Sequence, residues 1–154
     1  MIRTLIAVPA VLALFASAAC GKTPPDEATL RAEDKRELER VVAVDVRASR
    51  AMREADDATR DGDSGAAALT ISRDALPAVD EALRVAEGAP MKSEWGKGKR
   101  DELVAILRDR KAEMPKYEDA VKTGDPEKML AAIQAQAAIE RRALATVAAV
   151  QEGR

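Results

Sequence analysis

The sequence predicts an all-α protein, specifically an antiparallel four-helix bundle made of two long helical hairpins. Hydrophobic residues make up 47% of the chain but aromatic residues only 2%, so a core built from them must be aliphatic. Beyond position 37, apolar residues recur at steps of three and four, which is the period of a buried helix face. Gly-Asp pairs at 62–63 and 124–125 interrupt this pattern as helix ends do.

The first predicted helix starts at Asp26, directly after the Pro24-Pro25 pair. Residues 26–37 are mostly charged, so we expect them to stand clear of the bundle as a stalk of about 18 Å. The apolar stripe follows the stalk and should face the core. It comprises Leu38, Val41, Val44, Ala48, Ala51, Ala55 and Ala58.

The second and third predicted helices each contain a proline, Pro77 and Pro115, where we expect a kink or a break because proline removes a backbone donor. A long connection over residues 87–99, rich in Gly and Lys, should join the two helices. The expected stripe of the second helix is Leu69, Ser72, Leu76, Val79, Leu83 and Ala86. That of the third is Leu103, Leu107, Arg110, Met114, Tyr117 and Val121.

The fourth predicted helix follows a sharp turn in which Gly124 ends one helix, Asp125 caps the next and Pro126 takes its first position. Its predicted stripe is Leu130, Ile133, Ala137, Glu140, Leu144 and Val147. The two halves of the chain align at an offset of 62 residues, as with Gly62 and Gly124. This indicates either a duplicated hairpin or the chance agreement of two heptad patterns.

Residues 1–19 have the organisation of a bacterial signal peptide, with Arg3, an uncharged apolar run and a short small-residue stretch. Cys20, the only cysteine, follows at once, within Ser17-Ala18-Ala19-Cys20-Gly21. This segment resembles the lipobox of bacterial lipoproteins, although Ser17 stands where that family usually has Leu. The resemblance implies that the Cys20 thiol receives a diacylglycerol with chains such as palmitate, that the peptide is cleaved before Cys20, and that the new amino group is acylated. Residues 20–25 would then form a lipidated tether.

Gly21 after the cysteine, by the same resemblance, implies the outer membrane, with the remaining 26–154 domain facing the periplasm. A single thiol in an oxidising compartment is a liability unless it is capped, which also favours lipidation. The alternative is cleavage by ordinary signal peptidase, because the stretch 16–18 also fits its rule. That would leave a soluble periplasmic protein with a free Cys20.

The composition argues against several classes of function. The chain has no histidine, 25 basic and 27 acidic residues, so neither a histidine metal site nor a basic nucleic-acid surface is expected. We find no catalytic constellation, no Glu-x-x-His di-metal motif and no phosphate-binding loop. The sequence therefore predicts a protein that is not an enzyme and that binds neither a cofactor nor a metal.

Two groups of residues are candidates for a site. Arg110 and Glu140 lie nearly equidistant from the 124–125 turn and should face each other as an interhelical ion pair. They form either a ligand or register site or a salt bridge at the rim of the core. Trp95 with Lys97, Lys99 and Arg100 is a possible contact for a partner or for lipid headgroups, unless Trp95 only closes one end of the core.

The sequence thus favours a lipid-anchored helical protein that acts as an interaction or scaffold component of the bacterial envelope, with an envelope protein as partner. The alternatives are a periplasmic chaperone or carrier, which would bind apolar ligand between kinked helices, and an inhibitor or immunity-type lipoprotein.

Overall fold

Four antiparallel helical segments make up residues 25–154, the part of the chain that this computed structural model describes. The first is α1 (Glu27–Arg60). The second is divided into α2 (Ser64–Thr70), a π-helical stretch (Ile71–Ala75) and α3 (Leu76–Gly88). The third and fourth are α4 (Glu94–Thr123) and α5 (Pro126–Glu152). The predicted all-α, antiparallel four-helix bundle is confirmed.

The two Gly-Asp turns lie at the same end of the bundle and are built as the sequence predicts. Gly62 and Gly124 have φ of 82° and 63°, a left-handed conformation that glycine adopts without a steric penalty. Asp63 Oδ1 accepts from the Ala66 amide at 2.9 Å, and Asp125 Oδ1 accepts from the Glu127 amide at 2.9 Å. Each aspartate thereby caps the helix that follows it.

The cores of α1 and α4 follow the predicted stripes. In α4 all six predicted positions are buried, Arg110 among them. In α1 five of the seven are buried, and Val44 and Ala58 pack against the core from its edge. Apolar periodicity identifies these faces because both helices contact neighbours along most of their length.

The second segment departs from its predicted stripe on the amino-terminal side of Val79. The core here contains Ala75, Ile71 and Ala68, each one residue before the expected position. The expected positions were Leu76, Ser72 and Leu69, of which Leu69 is 48% exposed. The π-helical stretch causes this one-residue shift, since it adds a residue to one turn. It ends just before Pro77, which has no amide hydrogen to donate, so the irregularity predicted there takes this form.

Helix α5 turns a different face to the core than the one predicted. Its buried residues are Ala132, Ile139, Ala143, Thr146 and Val150. Leu130, Ile133 and Leu144 of the predicted stripe are 58%, 51% and 61% exposed. The prediction was wrong because α5 packs chiefly on α4 and contacts α1 much less, so its apolar stripe remains uncovered.

The expected stalk over residues 26–37 is also wrong in its second half. Asp34 is only 1% exposed and accepts hydrogen bonds from the Lys92 amide at 2.8 Å, the Ser93 amide at 2.7 Å and Ser93 Oγ at 2.6 Å. Lys35 Nζ donates to the Gln151 carbonyl at 2.5 Å. The charged residues of this stretch therefore join α1 to the connection before α4 and to the end of α5.

The predicted 87–99 connection is shorter than expected, because α3 runs to Gly88 and α4 begins at Glu94. Ser93 caps α4 by accepting from the Gly96 amide at 2.9 Å. A Cβ atom added at Gly96 would lie 2.2 Å from Asp34 Oδ2, so this glycine permits close approach. Helix α4 continues past Pro115 to Thr123 without a break.

Within residues 25–154, no helix combines the length and the apolar character that crossing a membrane requires.

Candidate functional site

A groove lies between α1 and α5, with α4 as its floor. A cavity of about 370 Å³ lies in it, with walls from α1 and α5 and with Arg110 and Tyr117 of α4 below. The lining residues are Ser49, Met52, Arg53, Asp56, Arg110, Tyr117, Ile133, Gln136, Ala137 and Glu140. We call this feature the α1–α5 groove. It exists because α5 packs on α4 and leaves α1 largely free on this side.

Arg110 lies at the floor of the groove and is 3% exposed. Its Nη2 atom lies 3.1 Å from Glu140 Oε2, so the structure brings the two predicted partners together. Its Nη1 atom pairs with Asp45 of α1, a contact that the sequence analysis missed. The Arg110 guanidinium therefore joins three helices through two carboxylates, which compensates much of the cost of burying its charge.

Asp45 carried a sequence signal that was overlooked. It lies four residues after Val41 and three before Ala48, both of which are fully or almost fully buried. A carboxylate at the edge of a core stripe, level with a buried arginine on another helix, is a candidate ion-pair partner.

Tyr117 and Asp56 form the second polar contact of the groove. The Tyr117 hydroxyl donates to Asp56 Oδ1 at 2.5 Å. Burial, followed by the hydrogen bond and the negative charge of Asp56, raises the pKa of Tyr117 to about 12. The phenol therefore stays neutral near pH 7 and serves as a hydrogen-bond donor there.

Carboxylates outnumber guanidinium groups in the groove. Among the lining residues, Asp56 and Glu140 balance Arg53 and Arg110, and Asp45, which pairs with Arg110 beside the cavity, adds one formal negative charge. The side chain of Glu140 is 51% exposed, so its carboxylate is accessible to an incoming group.

The large exposed apolar side chains of the described residues concentrate along this groove. They are Val46, Leu69, Leu130, Ile133 and Leu144. Ile133 lines the cavity, and Leu130 lies three residues before it on the same face of α5. Val46 lies between Val42 and Ser49, which line depressions between α1 and α5. Leu144 holds the corresponding place between Glu140 and Val147. Only Leu69, on α2, lies elsewhere.

Trp95, Lys97, Lys99 and Arg100 lie in the first turns of α4 rather than in a loop. Trp95 packs against the core, and its Nε1 donates to the Arg154 carbonyl at 2.8 Å. Each of the three basic side chains has an acidic neighbour on the same helix. Lys97 pairs with Glu94 at 2.6 Å, Lys99 with Glu102 at 3.1 Å and Arg100 with Asp101 at 2.9 Å. The group thus offers less unopposed positive charge than its sequence indicates.

The predicted lipidation residue Cys20 and the signal peptide lie outside the described residues. Within residues 25–154, no group of three or more metal-ligating side chains is close enough together to hold an ion.

No protein-family model, no curated protein and no solved structure matches this chain. The groove and the amino-terminal sequence around Cys20 are therefore the two features that indicate a function.

Proposed function

We propose that this protein is a lipid-anchored, periplasm-facing component of the bacterial envelope that acts by binding another envelope protein through the α1–α5 groove. The observation that carries the proposal is the concentration of exposed apolar side chains along this groove. Ile133 lines the cavity, and Leu130, Leu144 and Val46 lie on the same helix faces as residues that line it or the adjoining depression. Apolar side chains gathered in one place around a polar centre are typical of an interaction surface, whereas isolated ones are ordinary.

The anchoring part of the proposal rests on the lipobox resemblance at Cys20. Helix α1 starts seven residues after Cys20, so the acylated end of the chain and the start of α1 must be close together. The Gly62 and Gly124 turns lie at the opposite end of the bundle. The groove runs along the side between these ends, where a neighbouring envelope protein can reach it.

In-cell photo-crosslinking tests the binding role. A photoreactive residue replaces Ile133, which is 51% exposed in the groove, and a control chain carries it at Leu69, which is 48% exposed on α2. We expect one envelope protein to be captured reproducibly from position 133 and not from position 69. Capture of the same set of proteins from both positions, or of none from position 133, would contradict the proposal.

A carrier of small apolar ligands is the second candidate, and the cavity of about 370 Å³ favours it. The same experiment separates the two, because a carrier would be labelled at position 133 by small lipophilic molecules rather than by a protein.

A further inference from the structure

We propose that the occupant of the α1–α5 groove is an amphipathic helix of the partner protein whose apolar stripe carries one basic residue near its middle. The inference rests on the proposed function, since it specifies which kind of partner segment that function requires. It follows from the spacing of the groove residues and from their charge.

The spacing of the uncovered residues on α5 matches a helical partner. Leu130, Ile133, Ala137, Glu140, Leu144 and Val147 follow one another at steps of three and four. The first and the last are 17 residues apart, which corresponds to about 26 Å of helix. Such a stripe is the surface against which a neighbouring helix packs its own side chains. A small ligand would need only the part beside the cavity.

The α1 wall has a matching set of positions. Val42, Val46, Ser49 and Arg53 also follow one another at steps of four, three and four. They are on the side of α1 that borders the depressions shared with α5. Two helices with such facing stripes, held apart over a common floor, form a trough whose natural complement is a third helix.

The charge of the groove specifies the middle of that helix. Asp45 and Glu140 share one cation, Arg110, so a helix laid over them would remove one uncompensated negative charge from water. Burying an unpaired charge is unfavourable, and an incoming Lys or Arg reduces that cost by pairing with it. Val46 beside this level, and Leu144 and Ile133 farther along α5, present apolar surface to the partner.

A second copy of this chain fits less well. Two copies anchored in one membrane would bring their α5 helices together in parallel, which places Glu140 against the Glu140 of the other copy. Like charges at the centre of a helix pair oppose association.

Synthetic peptides test the proposal on the purified full chain carrying Cys20→Ser, which has no thiol to be lipidated. The probe is a fluorescent amphipathic peptide of about three heptads with Leu and Ala on its stripe and Lys at the central stripe position. Two sibling peptides carry Glu or Leu at that position. We expect the Lys peptide to bind about tenfold more tightly than the Glu peptide by fluorescence anisotropy.

Three variants locate the binding. Glu140→Gln should remove most of the preference for Lys over Glu. Leu144→Asp should weaken binding of the Lys peptide at least about tenfold, since it places a charge in the apolar contact. The control Leu69→Asp, at another exposed leucine that lies outside the groove, should leave binding unchanged. Urea unfolding of each variant shows whether its fold is intact.

Several results would overturn the inference. Equal affinity for the three peptides would refute the requirement for a basic residue in the partner helix. Equal weakening by Leu144→Asp and Leu69→Asp would show that the peptide does not bind in the groove. Self-association of the protein that Leu144→Asp abolishes would assign the groove to a second copy. Absence of peptide binding, together with specific protein capture from position 133 in cells, would refute a helical partner segment but would still support the proposed function.

Discussion

Replacing Asp34 by Ala should be among the most damaging single changes in α1, although the residue is charged and lies near the start of the helix. Its carboxylate accepts from the amides of Lys92 and Ser93 and from Ser93 Oγ, at 2.6 to 2.8 Å. The substitution leaves the buried Ser93 amide and the partly buried Lys92 amide without an acceptor. An unsatisfied buried donor costs about 1–3 kcal/mol, so we expect a loss of about 3 kcal/mol in the free energy of unfolding.

Urea unfolding at pH 7 measures this loss, and Glu33→Ala is the matched control. Glu33 is the neighbouring residue and pairs with the exposed Lys92 side chain at 2.5 Å. Its removal should change the unfolding midpoint by little more than the error, because exposed ion pairs contribute little. If Asp34→Ala cost no more than Glu33→Ala, the hydrogen bonds to Asp34 would not stabilise the fold as argued.

The pH dependence gives an independent check on the same residue. Burial alone would raise the pKa of Asp34, but the hydrogen bonds from Ser93 and Lys92 outweigh it and hold the pKa below the ordinary value of 3.8. A carboxyl with a lowered pKa contributes stability that is present above its unfolded value and lost as the pH falls through its folded value. The difference between wild type and Asp34→Asn should therefore be full at pH 7 and shrink below about pH 4. A difference that persists unchanged at pH 2 would refute the argument.

Three further predictions concern separate parts of the chain. Gly98→Ala should stabilise the protein by about 0.5–1 kcal/mol in urea unfolding, whereas Gly96→Ala should destabilise it by about 2 kcal/mol, because a Cβ atom meets Asp34 only at position 96. Tyr117, the only tyrosine, should titrate near pH 12 by ultraviolet absorbance, and stability should fall as the pH rises from 10 towards 12; a midpoint near 10 would contradict its burial against Asp56. Cys20→Ser should abolish palmitate labelling in cells, and labelling that persists would exclude Cys20 as the acceptor.

The sequence predicts the buried face of a helix correctly when neighbouring helices cover the side on which its apolar residues recur. This holds for α1 and α4, and it extends to Arg110 and Glu140, whose levels follow from counting residues from a tight turn. For α5 the same period marked a real apolar face, but periodicity cannot show whether another helix covers it. The groove, and therefore the candidate site, exists because no helix of the described residues covers this apolar face of α5.

The other errors have physical causes of their own. The π-helical stretch before Pro77 shifts the buried stripe of the second segment by one residue, and a regular α-helical period cannot predict such a shift. The sequence predicts a solvated Asp34 because charge usually indicates exposure, whereas its burial depends on donors 58 and 59 residues away. It also predicts a loop at Gly96, although this glycine lies in α4 and lets the Asp34 carboxylate approach the helix. Each of these features depends on contacts between distant parts of the chain.

The contacts of Lys35 with Gln151 and of Trp95 with Arg154 have a consequence for the order of the helices along the chain. They hold the carboxyl terminus beside the early part of α1, so the two ends of the bundle domain are neighbours in space. A linker of about six residues, which spans roughly 20 Å when extended, could join Arg154 to Pro25. New termini could then open at the Gly124–Asp125 turn. In such a circular permutant α5 and α1 become a covalent hairpin, and the two walls of the groove are consecutive in the sequence.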